Sequence, residues 1–452
     1  MQDGPHQAVD DDKQKRFQAW LNRRFPLFAT DRVEFIKRLT ERGPIVHFGL
    51  GSQQFFVIND PDAIRQTLFV KSDVFVKGRA LEMPSKVLGN GLITSDGAFH
   101  LRQRRMMQPA FHRERIMEYA RHMCRFADDA ANEWKDGEIR DIDHEMMRLT
   151  LRIVAKTLLD SEIDGEADTV SKSVTSILEL FNLLMLPYGE MLSTLSEEQQ
   201  ESIRNSIDTL DATIYRIIEE RRSSDEDRGD LLSMLIAARD EEDHTGMTDT
   251  QLRDEAMTIF LAGHETTANA LTWAMYLLSE NPEKREKFFA EIDRVVPDSG
   301  PTPEMLPELK YTEAVAAETL RLYPPVWSSP RLVTQDVKLK GVEIPAGSLA
   351  LCSQYVTHRD PKFWSDAETF IPERWVTQSV KDATAKCIYF PFAGGTRRCI
   401  GEGFAWAETI LVLAAIAKKW QLDKVADQEV GLHGMVTLRP KFGMRMEVTS
   451  RG

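Results

Sequence analysis

A glycine-rich loop near the C-terminus contains the residues with the clearest chemistry. From Phe392 to Gly401 it reads Phe-Ala-Gly-Gly-Thr-Arg-Arg-Cys-Ile-Gly, and it delivers Cys399 to the start of a helical pattern. A helix N-terminus and unpaired backbone N–H groups stabilise a negative sulfur, while glycine permits close backbone approach and two arginines add positive charge. The sequence therefore predicts that Cys399 is ionised, which is the form of cysteine that binds metals.

The spacing of this loop resembles the haem loop of the cytochrome P450 family. The pattern FxxGxRxCxG is complete, with Phe392, Gly395, Arg397, Cys399 and Gly401 at its fixed positions. A single cysteine before a helix is more often a packing residue, but a chance match to the whole spacing is rare. The resemblance implies that Cys399 binds the iron of haem b, iron protoporphyrin IX.

Two further motifs of the family occur in this sequence, in the order in which the family has them along the chain. Glu318-Thr-Leu-Arg321 matches ExxR, and Pro372-Glu-Arg374 matches a later PER segment. A Glu and an Arg three residues apart on a helix are commonly a solvated surface pair, so neither motif is specific by itself. Together with the cysteine loop, the resemblance implies that Glu318, Arg321 and Arg374 form a buried ion network behind the haem.

A long apolar helical pattern contains Ala262-Gly-His-Glu-Thr-Thr near its middle. Polar residues are poor choices there unless they are used, although a threonine that bonds the carbonyl four residues back is the simpler alternative. The segment resembles the oxygen-activating motif of the family. This implies that Thr266 hydrogen-bonds bound oxygen, that Glu265 relays protons, and that Ala262 and Gly263 leave room above the iron. His264 lacks the second histidine of a HExxH zinc motif and is expected to be a packing or surface residue.

Haem propionates are anions and require hydrogen-bond donors. Four residues resemble the usual suppliers in the family, namely His100, Arg104, Arg331 and Arg397. Each of them could instead be a solvated cation. The other three cysteines, Cys124, Cys352 and Cys387, match no ligand pattern and are expected to be buried packing residues.

The elements that must position these residues are mostly helices. Helical spacing of apolar residues fills about 98–239, and a very long helix is predicted from Thr248 to about Glu280 because Thr248 and Gln251 form a capping box and Asn281-Pro282 provides a stop. A helix from about Gly401 to Trp420 follows the cysteine.

Three ranges have β patterning, at roughly 44–60, 333–356 and 430–450. We therefore predict a single domain over residues 1–452 that is mainly α with a smaller β portion. The family resemblance implies a triangular prism of helices around a buried haem.

Composition narrows the possible partners. Lys plus Arg number 57 and Asp plus Glu number 71, which gives a net charge of −14 and disfavours nucleic acid or anionic membrane as a partner. The first residues contain no apolar stretch of the length that a signal peptide or membrane anchor needs. We expect a cytoplasmic monomer without a membrane anchor.

The resemblance implies a monooxygenase that uses O2 and two electrons from NAD(P)H to hydroxylate or epoxidise its substrate. The chain has no flavin or iron–sulfur segment, so a separate ferredoxin or flavodoxin with its NAD(P)H reductase is expected. Two alternatives remain open: a peroxide-driven peroxygenase, and a non-catalytic haem-thiolate sensor or carrier. Both would do without the acid and threonine pair that this sequence contains.

The expected substrate is a hydrophobic small molecule such as a fatty acid, terpenoid, steroid or polyketide. Segments that line the pocket in the family are apolar here, and the candidate lining residues are Leu81, Val87, Leu88, Leu184, Val326 and Trp327. The segments ETLRLYPP and PPVW resemble those of fatty-acid-hydroxylating and eukaryotic-type members, which favours a long-chain substrate.

Basic residues also gather in two segments that border the proximal face in the family. They are Arg102, Arg104, Arg105, Arg113 and Arg115, with Arg397 and Arg398 beside the cysteine. Such a patch on an acidic protein could orient an acidic electron donor. The alternative is that some of these arginines bind propionates and the others are solvated.

Overall fold

A computed structural model describes residues 25–78, 88–159, 197–223, 229–240 and 244–451, with a few isolated positions between these ranges. Its helices are α1 (Pro26–Thr30), α2 (Arg32–Thr40), α3 (Pro61–Arg65), α4 (Gly97–Met107), α5 (Arg113–Asn132), α6 (Ile142–Leu159), α7 (Glu197–Ser223), α8 (Leu231–Ala237), α9 (Asp249–Glu280), α10 (Pro282–Val295), α11 (Lys310–Leu322), α12 (Gln354–Thr357), α13 (Arg374–Thr377), α14 (Val380–Ala385) and α15 (Glu402–Lys419). A π-helical turn spans Gln66–Val70, and a 3-10 turn spans Gly395–Arg397. The prediction of a mainly helical fold is confirmed.

The strands are short. They are β1 (Ile45–Leu50), β2 (Gln53–Ile58), β3 (Phe75–Val76), β4 (Ile139–Asp141), β5 (Ser329–Val333), β6 (Val337–Leu339), β7 (Val342–Ile344), β8 (Leu349–Cys352), β9 (Trp420–Lys424), β10 (Leu432–Gly434), β11 (Leu438–Pro440) and β12 (Arg445–Ser450). The largest sheet has the order β1-β2-β8-β5-β3, and a second has the order β4-β12-β9. Strands β3, β4 and β9, and all of β5 except Val333, lie outside the predicted β ranges. Strands β3 and β4 are too short to show a two-residue alternation.

The largest sheet joins distant parts of the sequence. The hairpin β1-β2 pairs in parallel with β8, so that Ile58 stands opposite Cys352, and β8 pairs antiparallel with β5, so that Arg331 stands opposite Ala350. The edge strand β3 pairs with β5. The sheet thereby brings the segment after β3, which begins with Lys77, next to the strand that bears Arg331.

Helix α9 passes through the centre of the helical portion. It begins with the predicted capping box, in which the Thr248 hydroxyl accepts from Gln251 N and the Gln251 side chain accepts from Thr248 N. It has 32 residues, or about 48 Å of length, and ends before Pro282. Buried residues occur all around it, because α6, α7, α11 and α15 pack against it on different sides. The predicted bounds of this helix are confirmed.

Helix α15 begins three residues after Cys399 and packs against α5, α9 and α11. Its middle is buried on every side, from Ala407 to Ala417. Such a helix is held by its neighbours over its whole length, so its N-terminal end is fixed relative to α9. Among the described residues, no helix is long and apolar enough to cross a bilayer.

Candidate functional site

The cysteine loop has a fixed backbone path. The N–H of Cys399 donates to the carbonyl of Phe392 at 3.0 Å, which closes the loop on itself. Gly395 has φ +67°, and a Cβ at this position would lie 2.2 Å from the carbonyl oxygen of Leu68 in the π-helical turn. Only glycine suits both the conformation and the approach. The loop is therefore packed tightly between the π-helical turn and the start of α15.

Cys399 is exposed, whereas the other three cysteines are buried. Desolvation by the surrounding loop nevertheless raises the pKa of the Cys399 thiol to about 11. The Gly401 N–H, Arg104 and Arg398 lower that pKa without overcoming the burial. Without a metal ion, desolvation outweighs the helix end and the arginines, so the predicted ionisation of Cys399 depends on the metal that it would bind. A bound metal ion deprotonates such a thiol outright.

The segment from Ala262 to Thr267 lies within α9. Thr266 is partly buried, and its hydroxyl donates to the Ala262 carbonyl at 2.7 Å. This is the back-bonded arrangement of an ordinary helical threonine, and it leaves the hydroxyl oxygen able to accept a hydrogen bond. At Gly263 a Cβ would lie 3.0 Å from Val154 of α6, so close helix packing favours glycine here. Small residues and an available hydroxyl thus occur on adjacent turns.

Glu265 is almost fully buried and is held by residues of the C-terminal β segment. Its Oε1 accepts from the Thr437 hydroxyl and, at 2.5 Å, from Nε of Arg439. Only 2% of Glu265 is exposed, whereas 24% of the Arg439 side chain is. Arg439 therefore connects a buried carboxylate with the surface. Sequence reasoning missed both partners, and the only available signal was that a buried glutamate must be paired.

A group of basic residues lies near strand β5 and the segment that follows β3. Arg331 on β5 is buried, and within the part of the chain that the structure describes its guanidinium donates only to the Pro330 carbonyl, at 2.8 Å. Burial lowers the pKa of Arg331 to about 10 and that of Lys77 to about 7, with Arg397 contributing to both shifts. His100 is buried beside them, and burial lowers its pKa to about 4, so it is neutral at pH 7.

The chemistry of this donor set fits the two propionate carboxylates of haem. Arg331 and Arg397 carry positive charge, Lys77 would be charged beside an anion, and Asp96 bonds both Lys77 N and Arg397. A buried cation requires an opposite charge or hydrogen-bond acceptors. Lys77 was not among the sequence candidates, since no motif marks it. The residues that would hold haem are thus Cys399 at the iron and this cluster at the propionates.

The structure gives two of the predicted propionate donors other partners. Arg397 bonds Asp96 with Nε at 2.9 Å and donates to the carbonyls of Ser72 and Phe75 at 3.0 and 3.1 Å. Arg104 donates to the Arg398 carbonyl at 2.6 Å and thereby braces the cysteine loop from α4. Their role as propionate donors stays a prediction.

Glu318, Arg321 and Arg374 come together in the interior. Arg321 and Glu318 are fully buried and form a two-pronged pair, with Nε and Nη2 each 2.8 Å from a carboxylate oxygen. Nε of Arg374 lies 3.3 Å from the same carboxylate, which also accepts from Trp375 Nε1 at 2.9 Å and from Ile371 N at 2.9 Å. Both carboxylate oxygens of Glu318 therefore accept hydrogen bonds. The contribution of Trp375 was not anticipated.

Several other sequence candidates are packing residues. His264 is 1% exposed and its Nδ1 lies 2.8 Å from the Phe260 carbonyl, so it is a packed histidine. Cys124, Cys352 and Cys387 are buried, as predicted, and this burial raises the pKa of each thiol.

The candidate substrate contacts are only partly visible. Leu81, Val87 and Leu184 lie outside the described residues. Leu88 is buried in the main core, and Val326 is partly buried. Trp327 packs with Val33 and Leu438, and its indole donates to the Met435 carbonyl at 2.8 Å. Their contact with substrate stays a prediction.

Comparison with known proteins gives one family. The sequence profile of cytochrome P450 matches residues 17–444. Cyclooctatin synthase of Streptomyces melanosporofaciens is 37% identical over 89% of this chain and 88% of its own length. Pentalenene oxygenase of Streptomyces avermitilis is 34% identical over 96% of this chain and 95% of its own length. Cytochrome P450DA heme domain superposes with a TM-score of 0.83 at 24% identity, covering 93% of each chain.

The chain therefore belongs to the cytochrome P450 family. It is a monooxygenase with haem b as its cofactor, and its fold is the P450 fold.

The ligand assignment leads to a spectroscopic prediction. We expect Cys399→Ser to abolish the red-shifted Soret band of the reduced carbon monoxide complex, because a serine oxygen cannot replace the thiolate at the iron. Cys352→Ala and Cys387→Ala are matched controls, since both cysteines are buried thiols, and both variants should keep the band. Retention of the band in Cys399→Ser with its loss in either control would show that another cysteine is the ligand.

Proposed function

We propose that this monooxygenase hydroxylates or epoxidises a cyclic terpenoid, either a hydrocarbon or one that already bears a hydroxyl group. The observation that carries this proposal is the set of relatives. Pentalenene oxygenase is named for an alkene, and cyclooctat-9-en-7-ol 5-monooxygenase, 34% identical over 87% of this chain, is named for an alkene with one hydroxyl group. Compact apolar molecules bind through buried area and few polar contacts. These relatives favour a cyclic terpenoid over the long-chain substrate that the PPVW segment suggests.

A ligand panel tests the substrate class. With the purified holoprotein, polycyclic olefins and their monohydroxylated derivatives should displace water from the iron and convert its spin state, which is visible as a blue shift of the Soret band. Long-chain fatty acids of similar carbon number are the comparison set. Stronger shifts with the fatty acids than with the polycyclic olefins would reverse the substrate assignment.

In the proposed reaction, the residues around Thr266 handle protons. Bound haem supplies the activation of dioxygen, with the Cys399 thiolate donating electron density to its iron. The Thr266 hydroxyl can accept a hydrogen bond while it donates its own to the Ala262 carbonyl, so it could hold a hydrogen-bond donor in place at this point of α9. Glu265 is one residue away, and Arg439 links it to the surface. This arrangement supports proton delivery from solvent through Glu265.

Glu265 and Thr266 also distinguish a monooxygenase from the two alternative functions. A peroxide-driven peroxygenase and a non-catalytic sensor both need the cysteine loop, but neither needs a positioned hydroxyl and a connected acid. Holding Glu265 in the interior requires two partners, Thr437 and Arg439, from the distant C-terminal segment, and a buried carboxylate without a function costs stability. The arrangement therefore favours the oxygen-activating monooxygenase.

We predict that Thr266→Ala keeps haem and substrate binding but loses coupling. Without the hydroxyl, proton delivery at this point of α9 should be less selective, so less product and more hydrogen peroxide should form for each NAD(P)H consumed. Thr272→Ala is a matched control, because Thr272 lies on the same helix and makes the same type of bond, to the Ala268 carbonyl at 2.9 Å. An equal product yield per NAD(P)H in the Thr266 variant and the wild type would remove Thr266 from the reaction.

We propose further that an acidic ferredoxin or flavodoxin, with its NAD(P)H reductase, supplies the electrons. The predicted basic patch is largely compensated: Arg102 and Arg105 lie 3.7 and 3.2 Å from Asp240, and Arg398 pairs with Glu402. This weakens the case for docking on α4 alone, because paired charges produce a weaker field at a distance.

A groove beside the cysteine loop is a better docking surface. Its volume is about 950 Å³, and its charged lining residues are Arg65, Lys310, Lys381, Arg398, Glu313 and Glu402, a surplus of two positive charges on a protein of net charge −14. Val70 and Val376 line the same groove and are 65% and 67% exposed. Exposed apolar groups with surrounding cations suit an acidic protein partner. We define these residues as the proximal groove.

We predict that Lys381→Glu slows the first electron transfer several-fold at low salt and leaves substrate affinity unchanged, because charge reversal weakens steering of an acidic partner. Lys135→Glu is the control: Lys135 is exposed near the far end of α15, where Trp420 bonds the Ala131 carbonyl, about 27 Å of helix from the cysteine loop.

Stopped-flow reduction by an acidic ferredoxin, repeated across a salt series, measures the effect. An electron-transfer rate that changes neither with the charge reversal nor with the salt concentration would contradict docking at the proximal groove. The haem assignment would be unaffected by that result.

A further inference from the structure

Gly394 in the cysteine loop is explained by an aromatic contact. Its backbone is extended, with φ −165° and ψ 172°, a conformation that any residue can adopt. A Cβ at this position would nevertheless lie 2.0 Å from Cζ and 2.4 Å from Cε2 of Phe69. Position 394 is also a variable position of the FxxGxRxCxG pattern, so the family motif does not account for this glycine. Glycine is therefore required here by the ring of Phe69.

The ring of Phe69 belongs to the π-helical turn, Gln66–Val70. The turn is closed by the Lys71 N–H, which donates to the Gln66 carbonyl at 2.9 Å. Such turns are rare in proteins and are frequent at functional sites. Leu68 is buried in a hydrophobic cluster formed with residues of the largest sheet, and Phe69, partly buried, packs against the same cluster. This packing holds the ring in place beside the cysteine loop.

The chain after the π-helical turn holds the cysteine loop as well. Nη1 of Arg397 donates to the carbonyls of Ser72 and Phe75, at 3.0 and 3.1 Å. The turn itself meets the loop at its two consecutive glycines. Residues 66–75 therefore contact three of the five residues that directly precede the iron ligand. One short segment thus supports the backbone that leads to the ligand.

The position of the Cys399 sulfur depends on this loop. Burial raises the pKa of its thiol, and the Gly401 N–H, which hydrogen-bonds the sulfur, is the first contact that lowers it. A hydrogen bond to a ligating thiolate reduces the electron density that the sulfur donates to iron, and such contacts help to set the reduction potential of a haem. A displacement of the loop backbone would change this hydrogen bond and hence the potential.

We propose that Phe69 is a positioning residue for the iron ligand. Its ring supports the loop backbone at Gly394 and thereby fixes the sulfur of Cys399 relative to the Gly401 N–H. Phe69 acts only through the loop, and no motif marks it in the sequence. The role extends the haem assignment and is independent of the proposed substrate and electron donor.

The test compares Phe69→Ala with the wild-type holoprotein. Without the ring the loop gains freedom, so amide hydrogen exchange in the peptide covering residues 392–401 should rise severalfold. The midpoint reduction potential of the iron should fall, because a thiolate with a weaker hydrogen bond donates more electron density. Phe69→Leu keeps a smaller apolar side chain at this place, and it should show both changes to a smaller extent even where the alanine variant folds poorly.

Phe35→Ala is the matched control. Phe35 on α2 is also a partly buried phenylalanine, and its ring centre lies 5.3 Å from those of Phe28 and Phe48. Loss of this ring removes a comparable amount of apolar packing away from the cysteine loop, so the variant should lose thermal stability. It should change neither the exchange of residues 392–401 nor the reduction potential.

Gly394→Ala tests the contact from the loop side. The added methyl group would collide with the ring of Phe69, so exchange of residues 392–401 should rise and the potential should shift. In the Phe69→Ala background the ring is absent and the same methyl group has space. A double-mutant cycle should therefore show a much smaller effect of Gly394→Ala in that background than in the wild type.

Three results would overturn the proposal. An equal loss of thermal stability in Phe69→Ala and Phe35→Ala, with potential and loop exchange unchanged in both, would show a purely structural role. A rise in exchange without a change in potential would show that other contacts fix the sulfur. An effect of Gly394→Ala that is the same with and without the ring would show that the two residues do not act on each other.

Discussion

Arg321 and Glu318 lie side by side with no exposed surface, and neither charge could remain there without the other. Their pair also fixes the loop that follows, because Arg321 donates to the carbonyls of His358, Ala367 and Thr369 while Glu318 accepts from Ile371 N. The segment that leads from α12 to the cysteine loop is therefore anchored to α11 through one ion pair. Removing either partner costs about 3–5 kcal/mol in comparable buried pairs, and here the position of the haem ligand depends on it.

The requirement that a buried charge be paired also applies to Glu265 on α9. Glu265 can be buried in the middle of α9 only because Thr437 and Arg439 reach it from the C-terminal β segment. This is a reason for the chain to return to α9 after α15, and it couples the placement of the proposed proton donor to strand β11. The acid is stable because it is paired, and Arg439 keeps it connected to water. The contact between Glu265 and Arg439 therefore stabilises the fold and also serves the proposed proton delivery.

Local patterns account for what the sequence predicted well. The cysteine loop, α9 with its capping box, and the ExxR pair are each encoded within about ten to thirty consecutive residues, so spacing alone identifies them. Arg439 and Lys77 are different, since each meets its partner through long-range folding and neither is part of a motif. Cys399 is a third case: the arginines and the helix end that favour its ionisation were visible in the sequence, but the desolvation that opposes it was not.

The cation cluster shows how cofactor binding and folding are linked in this chain. Burial lowers the pKa of Lys77 and of Arg331, which means that the folded protein disfavours their charged forms. Propionate carboxylates next to them would favour those charges, and any ligand that binds only the folded state stabilises it. Lys77 also holds the Leu92 carbonyl. Propionate contacts that favour the charged form of Lys77 would therefore also strengthen its hydrogen bond to the Leu92 carbonyl, so that haem binding and the packing of this segment would stabilise each other.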